Sequence, residues 1–325
     1  MTTSNPLVSI LIPVYNRERF IERAVLSALA QTYATTEIVI VDNASTDGTW
    51  DKLTELKNRD PRIAIFRNET NIGPVANWLR TAELGHGVYG KYLFSDDLLD
   101  PVFLEKTVPF LEAHPHAGFV YGPVVLELES DAHSFDIYVK PPPGSPLATM
   151  DWFVSETFKA RIDNNEFPVN PSCALFRRAD LIPALREGMQ LDPGKKFQMF
   201  EHSGGVDLWI YLYAARKYSH YGYLPEAKSH FLSSHDALSI ICGRASLFEG
   251  YTRSRLHFAE QFRGPKVTRL VAARLWLTAC NRERHLYSPF TFCRRYCDVN
   301  QRILPILQAI CELLTKRLKR LLGSS

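Results

Sequence analysis

The stretch Tyr92-Leu93-Phe94-Ser95-Asp96-Asp97-Leu98-Leu99-Asp100-Pro101 constrains the chain most. An apolar run reaches two adjacent carboxylates, and a helix start follows at once, with Asp100 as N-cap and Pro101 in the first turn. Asp96 and Asp97 therefore stand where a strand ends and the chain turns. In open α/β sheets that carboxyl end is where ligands bind. Two acids this close repel unless a cation or hydrogen-bond donors hold them. The pair points either to a divalent cation held by few protein ligands or to a solvated acidic turn that caps a helix. Asp97 is expected at the surface, where it contributes little to the core.

The surrounding pattern alternates strand and helix. Residues 8–12 are a short β-rich run ended by Pro13, and residues 17–31 follow with apolar side chains at helical spacing. Residues 37–41 form a second, continuously apolar strand suited to a buried parallel sheet. It ends in the turn and capping residues 42–49. A helix over 50–58, a strand over 63–66, a loop at 71–74 and a helix over 75–84 complete a βαβα rhythm, which predicts a doubly wound, mostly parallel sheet. Farther on, the proline-rich segment 140–146 reads as a stiff loop, residues 169–178 as a strand and 204–217 as a helix. Beyond Asp236 the chain turns to basic helical segments. The last, over 303–322, carries an apolar stripe flanked by Lys316, Arg317, Lys319 and Arg320. Such a helix suits an anionic membrane surface, or packing on the rest of the chain or on another subunit.

Bulk properties exclude several classes. With 325 residues, 46% hydrophobic and 22% charged, the chain has an ordinary globular balance. A net charge of +3 gives no ground for a nucleic-acid partner. The polar start lacks a signal-peptide pattern, and no apolar run is long enough to span a bilayer, so a cytoplasmic location is expected. The six cysteines form neither a disulfide framework nor a zinc set and are expected as free thiols. There is no phosphate-binding Gly-rich loop with Lys, and no Gly-x-Gly-x-x-Gly after the first strand. A P-loop nucleotidase and a dinucleotide oxidoreductase are both disfavoured.

Four blocks in chain order resemble the family 2 glycosyltransferases. Val8-Ser9-Ile10-Leu11-Ile12-Pro13-Val14-Tyr15-Asn16 is similar to their opening, and residues 41–49, Val-Asp-Asn-Ala-Ser-Thr-Asp-Gly-Thr, to their second block. Asn71-Ile72-Gly73 resembles the third, and residues 87–97 the stretch that carries their metal-binding Asp-x-Asp motif. The resemblance is strong over 7–105, weaker to about 239, and absent beyond. It implies an α/β GT-A fold, here with a C-terminal helical extension: a domain over 1–239, divided into a nucleotide-sugar half (1–105) and an acceptor half (106–239), then a basic helical extension over 240–325. It also implies an inverting enzyme that moves a sugar from a nucleotide-diphosphate sugar to a hydroxyl. The basic composition and the final helix, for their part, suggest a bacterial-type enzyme peripheral at the inner face of the plasma membrane, with a glycan or lipid-linked acceptor in surface polysaccharide or glycolipid synthesis.

By the same resemblance, Asp42 accepts hydrogen bonds from the base, and Pro13 and Tyr15 wall its pocket. Asp96 is the ribose-side carboxylate and Asp97 the ligand of a Mn or Mg ion, though these two roles could be exchanged. Where the family has an Asp, this chain has Phe94. On the acceptor side, Asp207 in Gly204-Gly205-Val206-Asp207-Leu208-Trp209 is the candidate general base, with helix capping as its other reading. Glu201 is the reserve. The family's Glu-Asp pair would fall at Gly204 and Gly205. His235 resembles a late metal or diphosphate ligand, and residues 168–173 the acceptor cleft. Two rival functions remain open. One is a sugar nucleotidyltransferase, which normally carries a basic Gly-rich loop after the first strand. The other is a catalytically silent, membrane-associated binding protein with a decayed GT-A domain.

Overall fold

A computed structural model of the chain describes residues 5–128, 134–137, 140–159, 170–191, 204–233, 243–282, 288, 291–292 and 303–321. In chain order the elements are β1 (Val8–Val14), α1 (Ile21–Leu29), β2 (Thr36–Asp42), α2 (Thr49–Lys57), β3 (Ile63–Arg67), α3 (Pro74–Leu84), β4 (Tyr89–Tyr92), β5 (Leu98–Leu99) and α4 (Phe103–Ala113). Then come β6 (Ala117–Tyr121), β7 (Val124–Leu128), β8 (Ser134–Ile137), β9 (Leu147–Thr149), α5 (Met150–Phe158), a 3-10 turn (Pro171–Cys173), β10 (Ala174–Arg177) and α6 (Arg178–Gly188). The last are α7 (Val206–Lys217), β11 (His220–Tyr223), β12 (Ser229–Ser233), α8 (Gly243–Phe262), α9 (Gly264–Arg282) and α10 (Ile303–Leu321).

The main sheet has eight strands in the order β3-β2-β1-β4-β10-β6-β11-β9. β1 pairs in parallel with β2 and β4, β2 with β3, and β6 with β11, whereas β10 runs antiparallel between β4 and β6. The mostly parallel sheet expected from the rhythm is therefore present, with two reversed strands, β10 at its centre and β9 at its edge beside β11. β1 and β2 are buried on both faces, which accounts for their unbroken apolar runs. Ile10, Ile12, Ile38 and Ile40 face a core with α1, α2 and α4. Leu11, Val39 and Tyr92 face another with Trp78, Phe153 and Trp209. A four-stranded sheet, β5-β12-β7-β8, stands beside the end of β4.

The helix after the acidic pair starts later than the sequence suggests. The chain first makes the short strand β5 against β12, and α4 begins at Phe103. Asp100 still caps the turn: its Oδ1 accepts from Val102 N at 3.1 Å and its carbonyl from Phe103 N at 3.0 Å. Beyond residue 242 the described chain is helical, and the buried residues of α8, α9 and α10 join the same core as Trp209. On α10, Ile306 and Ile310 are buried, while Leu304 and Leu314 are exposed. The apolar stripe thus meets other helices along one edge. The side chains of Lys316, Arg317, Lys319 and Arg320, and the expected boundary at 239/240, lie outside the described residues. No described helix is long and apolar enough to cross a membrane.

Candidate active site

Four loops meet at the carboxyl ends of β1, β2, β3 and β4, and short polar side chains lace them together. Asn16, in the left-handed region at φ 50°, donates its backbone N–H to Ser45 Oγ at 2.9 Å, and its Oδ1 accepts from Thr46 N at 2.8 Å. Arg17 N donates to Thr49 Oγ1 at 2.9 Å. Asn43, next to Asp42, accepts at Oδ1 from Asn68 Nδ2 at 2.7 Å and from Ile72 N at 3.0 Å. It donates through Nδ2 to Asn71 Oδ1 at 2.8 Å. The residues that read as loose turn formers in the sequence thus build one cross-braced floor.

Asp42 ends β2 and is fully buried. Ser45 donates to it through both its backbone N–H, at 3.2 Å, and its hydroxyl. Arg67, at the end of β3, lies against it with Nε 3.1 Å from Oδ2. The same guanidinium donates to Ser45 O at 2.9 Å and sits 5.2 Å from the centre of the Trp50 ring, with 42% of its side chain exposed. Arg67 and Trp50, which the sequence motifs do not single out, adjoin Asp42. Their signal was weak, because one arginine at a strand end and one tryptophan in a helix are common. Pro13 lies in buried β1, and Tyr15 projects beside it at 41% exposure.

The acidic pair divides into an outer and an inner carboxylate. Asp96 retains 16% exposure and pairs with Arg17, Nε to Oδ2 at 3.4 Å. Asp97, contrary to the surface position expected for it, is buried. Its Oδ2 accepts from Ser172 Oγ at 3.0 Å and its Oδ1 from Leu232 N at 3.4 Å. Burial, then the neighbouring Asp96 charge, pushes its carboxyl well above the usual carboxylate range. The reason is tertiary: β12 and the 3-10 turn close over the inner acid, and local sequence does not report that. Phe94, standing where the family has an acid, is half-buried and stacks on Trp78 with ring centres 5.0 Å apart.

Among the described residues no group of three or more His, Cys, Asp and Glu side chains could hold a metal ion. A Mg- or Mn-type ion bound through one or two carboxylates and the oxygens of a diphosphate needs no such group. The outer carboxylate of Asp96 is a hard oxygen donor at the sheet's ligand edge, so the residues present fit that mode. His235 lies outside the described residues.

On the acceptor side Asp207 occupies the first turn of α7, half-buried. Its Oδ1 accepts from Gly205 N at 2.9 Å and Leu208 N at 2.8 Å, and its Oδ2 from Tyr251 OH at 2.7 Å. Burial raises its pKa to about 6, partly offset by these donors. Asp207 thus holds the first turn of α7, which is its capping reading. Gly205, at φ +94°, packs against Gly250 of α8 so tightly that a Cβ on Gly250 would stand 1.9 Å from Gly204 O. One turn along α7, Tyr211 donates to Asn170 O at 2.8 Å, beside the turn that carries Ser172. The strand expected over 169–178 is that turn followed by β10, with Asn170 Oδ1 capping it at Ser172 N, 2.8 Å. Glu201, Pro168 and Val169 lie outside the described residues.

Comparison with known proteins agrees with this arrangement. Residues 9–182 match the model of "Glycosyl transferase family 2". The chain is 36% identical over 130 residues to an uncharacterized glycosyltransferase of Haemophilus influenzae, covering 38% of this chain and 39% of that protein. It is 37% identical over 106 residues to the Escherichia coli UDP-Glc:alpha-D-GlcNAc-diphosphoundecaprenol beta-1,3-glucosyltransferase WfaP, covering 33% and 41%. The match spans about two-fifths of the length of the first such relatives. Among solved structures, residues 1–349 of S. aureus TarS in complex with UDP-GlcNAc superpose with a TM-score of 0.61 at 15% identity, covering 93% of this chain and 81% of that one. That likeness establishes the GT-A fold. With a family match over more than half the chain, and with the family's blocks gathered at one end of such a sheet, the chain belongs to glycosyltransferase family 2.

Proposed function

We propose that this chain transfers a sugar, with inversion, from a nucleoside-diphosphate sugar whose base is uracil or thymine to an acceptor hydroxyl. The observation that carries this reading is the buried Asp42 under Arg67. A carboxylate acceptor beside a guanidinium donor complements an N–H flanked by C=O, the imide edge that uracil and thymine present and that adenine and cytosine lack. On binding, the base N–H takes the place of Arg67 Nε–H at Asp42 Oδ2, while Arg67 moves to a base carbonyl. Pro13 and Tyr15 wall the base. The names of WfaP and of the TarS complex, with UDP-Glc and UDP-GlcNAc, support a uridine donor.

Asp96, the more accessible acid, faces the donor diphosphate as the cation-side carboxylate. Asp97 supports it from behind, which exchanges the two roles first implied by the resemblance. A divalent cation held there would act as a Lewis acid on the leaving diphosphate. Asp207 takes the proton of the attacking hydroxyl, and a base of this kind contributes roughly 10²–10⁴-fold. The acceptor is a glycan or lipid-linked glycan of a bacterial surface polysaccharide, which the naming of WfaP favours. An anionic membrane at the cytoplasmic face would meet the basic end of α10, since Ile306 and Ile310 are already buried. Replacing Lys316, Arg317, Lys319 and Arg320 by Gln should then release the protein from anionic vesicles at low salt. Unchanged sedimentation with vesicles would remove that placement.

One observation favours a second reading, a silent binding protein. Both oxygens of Asp207 are already hydrogen-bonded, and the family's Glu-Asp positions are Gly204 and Gly205. Hydrolysis of UDP-glucose and UDP-GlcNAc, with and without Mn, separates the two. Release of UDP above background that falls with Asp207→Asn supports the enzyme. UDP binding with no release at any pH supports the silent protein.

A further inference from the structure

Lys91 is fully buried in β4, directly beneath the acidic pair, and the mechanism above gives it no task. A buried ammonium is costly unless its donors are used. Here Nζ donates to Tyr92 O at 3.1 Å and to Ser172 O, and it lies 4.5 Å from the centre of the Phe103 ring. Ser172 is the residue whose hydroxyl holds Asp97. Its turn is also tied to α7, through Tyr211 OH on Asn170 O and through Cys173 Sγ, 3.5 Å from the same hydroxyl. One side chain thus joins the strand that delivers the acids to the turn that borders the acceptor half. The sequence offers only a lysine in an apolar run, where a snorkelling surface residue is the ordinary reading.

We propose that Lys91 is a positioning residue for sugar transfer: through Ser172 it fixes Asp97, and with it the acidic turn, relative to α7 and Asp207. The geometry makes the link short and specific. Lysine Nζ holds the carbonyl of Ser172, and the hydroxyl of that residue holds the inner carboxylate. Lys91 is 0% exposed and its ammonium is taken up by Tyr92 O and Ser172 O; burial lowers its pKa to about 7, with Cys173 and Asp97 acting in the opposite direction. The inference rests on the functional reading above and adds to it how the two halves keep register.

The test is a double-mutant cycle on donor hydrolysis with UDP-GlcNAc and UDP-glucose as probes, together with UDP titration by calorimetry. Lys91→Met and Ser172→Ala should each lower kcat at least tenfold while leaving the Kd for UDP within twofold. The double variant should fall no further than the worse single, because both act through one link. Additive losses, or kcat and Kd degrading together in step with a falling Tm, would assign Lys91 a purely structural role and overturn the proposal. If Lys91→Met does not fold, Ser172→Ala decides alone, since it keeps the lysine and removes one hydroxyl; a full hydrolysis rate in that variant overturns the link. Wild-type protein that neither binds UDP nor cleaves either probe contradicts the functional reading instead. Wild-type activity with unperturbed variants contradicts only the role of Lys91.

Discussion

The two halves of the sheet edge are built by different means. On the donor side, the loops after β1, β2 and β3 hold each other through Asn16, Ser45, Asn43, Asn68 and Asn71, short side chains that bond to backbone and to one another. On the acceptor side, Asp207 is held by the backbone of its own helix and by Tyr251 from a helix that begins 36 residues after it, at Gly243. The glycine contact between Gly205 and Gly250 sets how closely α7 and α8 approach. The proposed donor pocket is braced by hydrogen bonds between residues 25 to 30 positions apart, so the loops themselves hold its form. An acceptor corner made by helix packing depends on the C-terminal helices staying in place.

The largest effect should come from breaking that helix contact. Gly250→Ala puts a methyl group on Gly204 O, and overpacking of this severity costs about 3 kcal/mol. A fall in Tm should accompany loss of hydrolysis, with UDP affinity kept in whatever fraction stays folded. An unchanged Tm would show that α7 and α8 are not so closely joined. The acidic pair sharpens the donor side. Asp96→Asn should lower cation-dependent hydrolysis about a hundredfold, near 2.7 kcal/mol, whereas Asp97→Asn, which keeps a carbonyl oxygen to accept from Ser172 Oγ, should stay within tenfold. The reverse order of effects would return the cation to Asp97.

Asp207 gives a pH test. Its pKa is higher folded, about 6, than the ordinary 3.8, so the stability it contributes is full below about 3.8 and is lost as pH rises through about 6. Hydrolysis, which needs the ionised base, should rise over the same range. Asp207→Asn should flatten both profiles, and a rate profile in that variant with the wild-type inflection would remove Asp207 as base. The smallest effect belongs to Tyr251→Phe. Losing one hydrogen bond to a carboxylate should cost about 1–2 kcal/mol and move the inflection upward by about one unit. A downward shift would mean that the hydroxyl favours the protonated acid.

How far the molecule was legible follows the same division. The strands and helices up to α3 came from hydrophobic period and turn residues, which are local signals, whereas Pro13, Tyr15 and Asp42 were singled out by the resemblance to family 2 glycosyltransferases. Asp97 was misplaced at the surface because what buries it, Ser172 and Leu232, lies 75 and 135 positions away. Arg67 lies in no motif and Lys91 is not a motif position of the 87–97 block, so the meaning of both is in their neighbours. The antiparallel β10 was invisible for the same reason, since a strand's direction in the sheet depends on its connections rather than on its residues.

Calorimetric titration with UDP and with ADP tests the proposed donor pocket most directly. The wild-type protein should bind UDP at least tenfold more tightly than ADP, and Asp42→Ala should erase that preference, a loss of about 1.5–3 kcal/mol for one charge-assisted hydrogen bond. Equal affinity for the two nucleotides, unchanged by Asp42→Ala, would contradict the assignment of this site to a uridine-type donor.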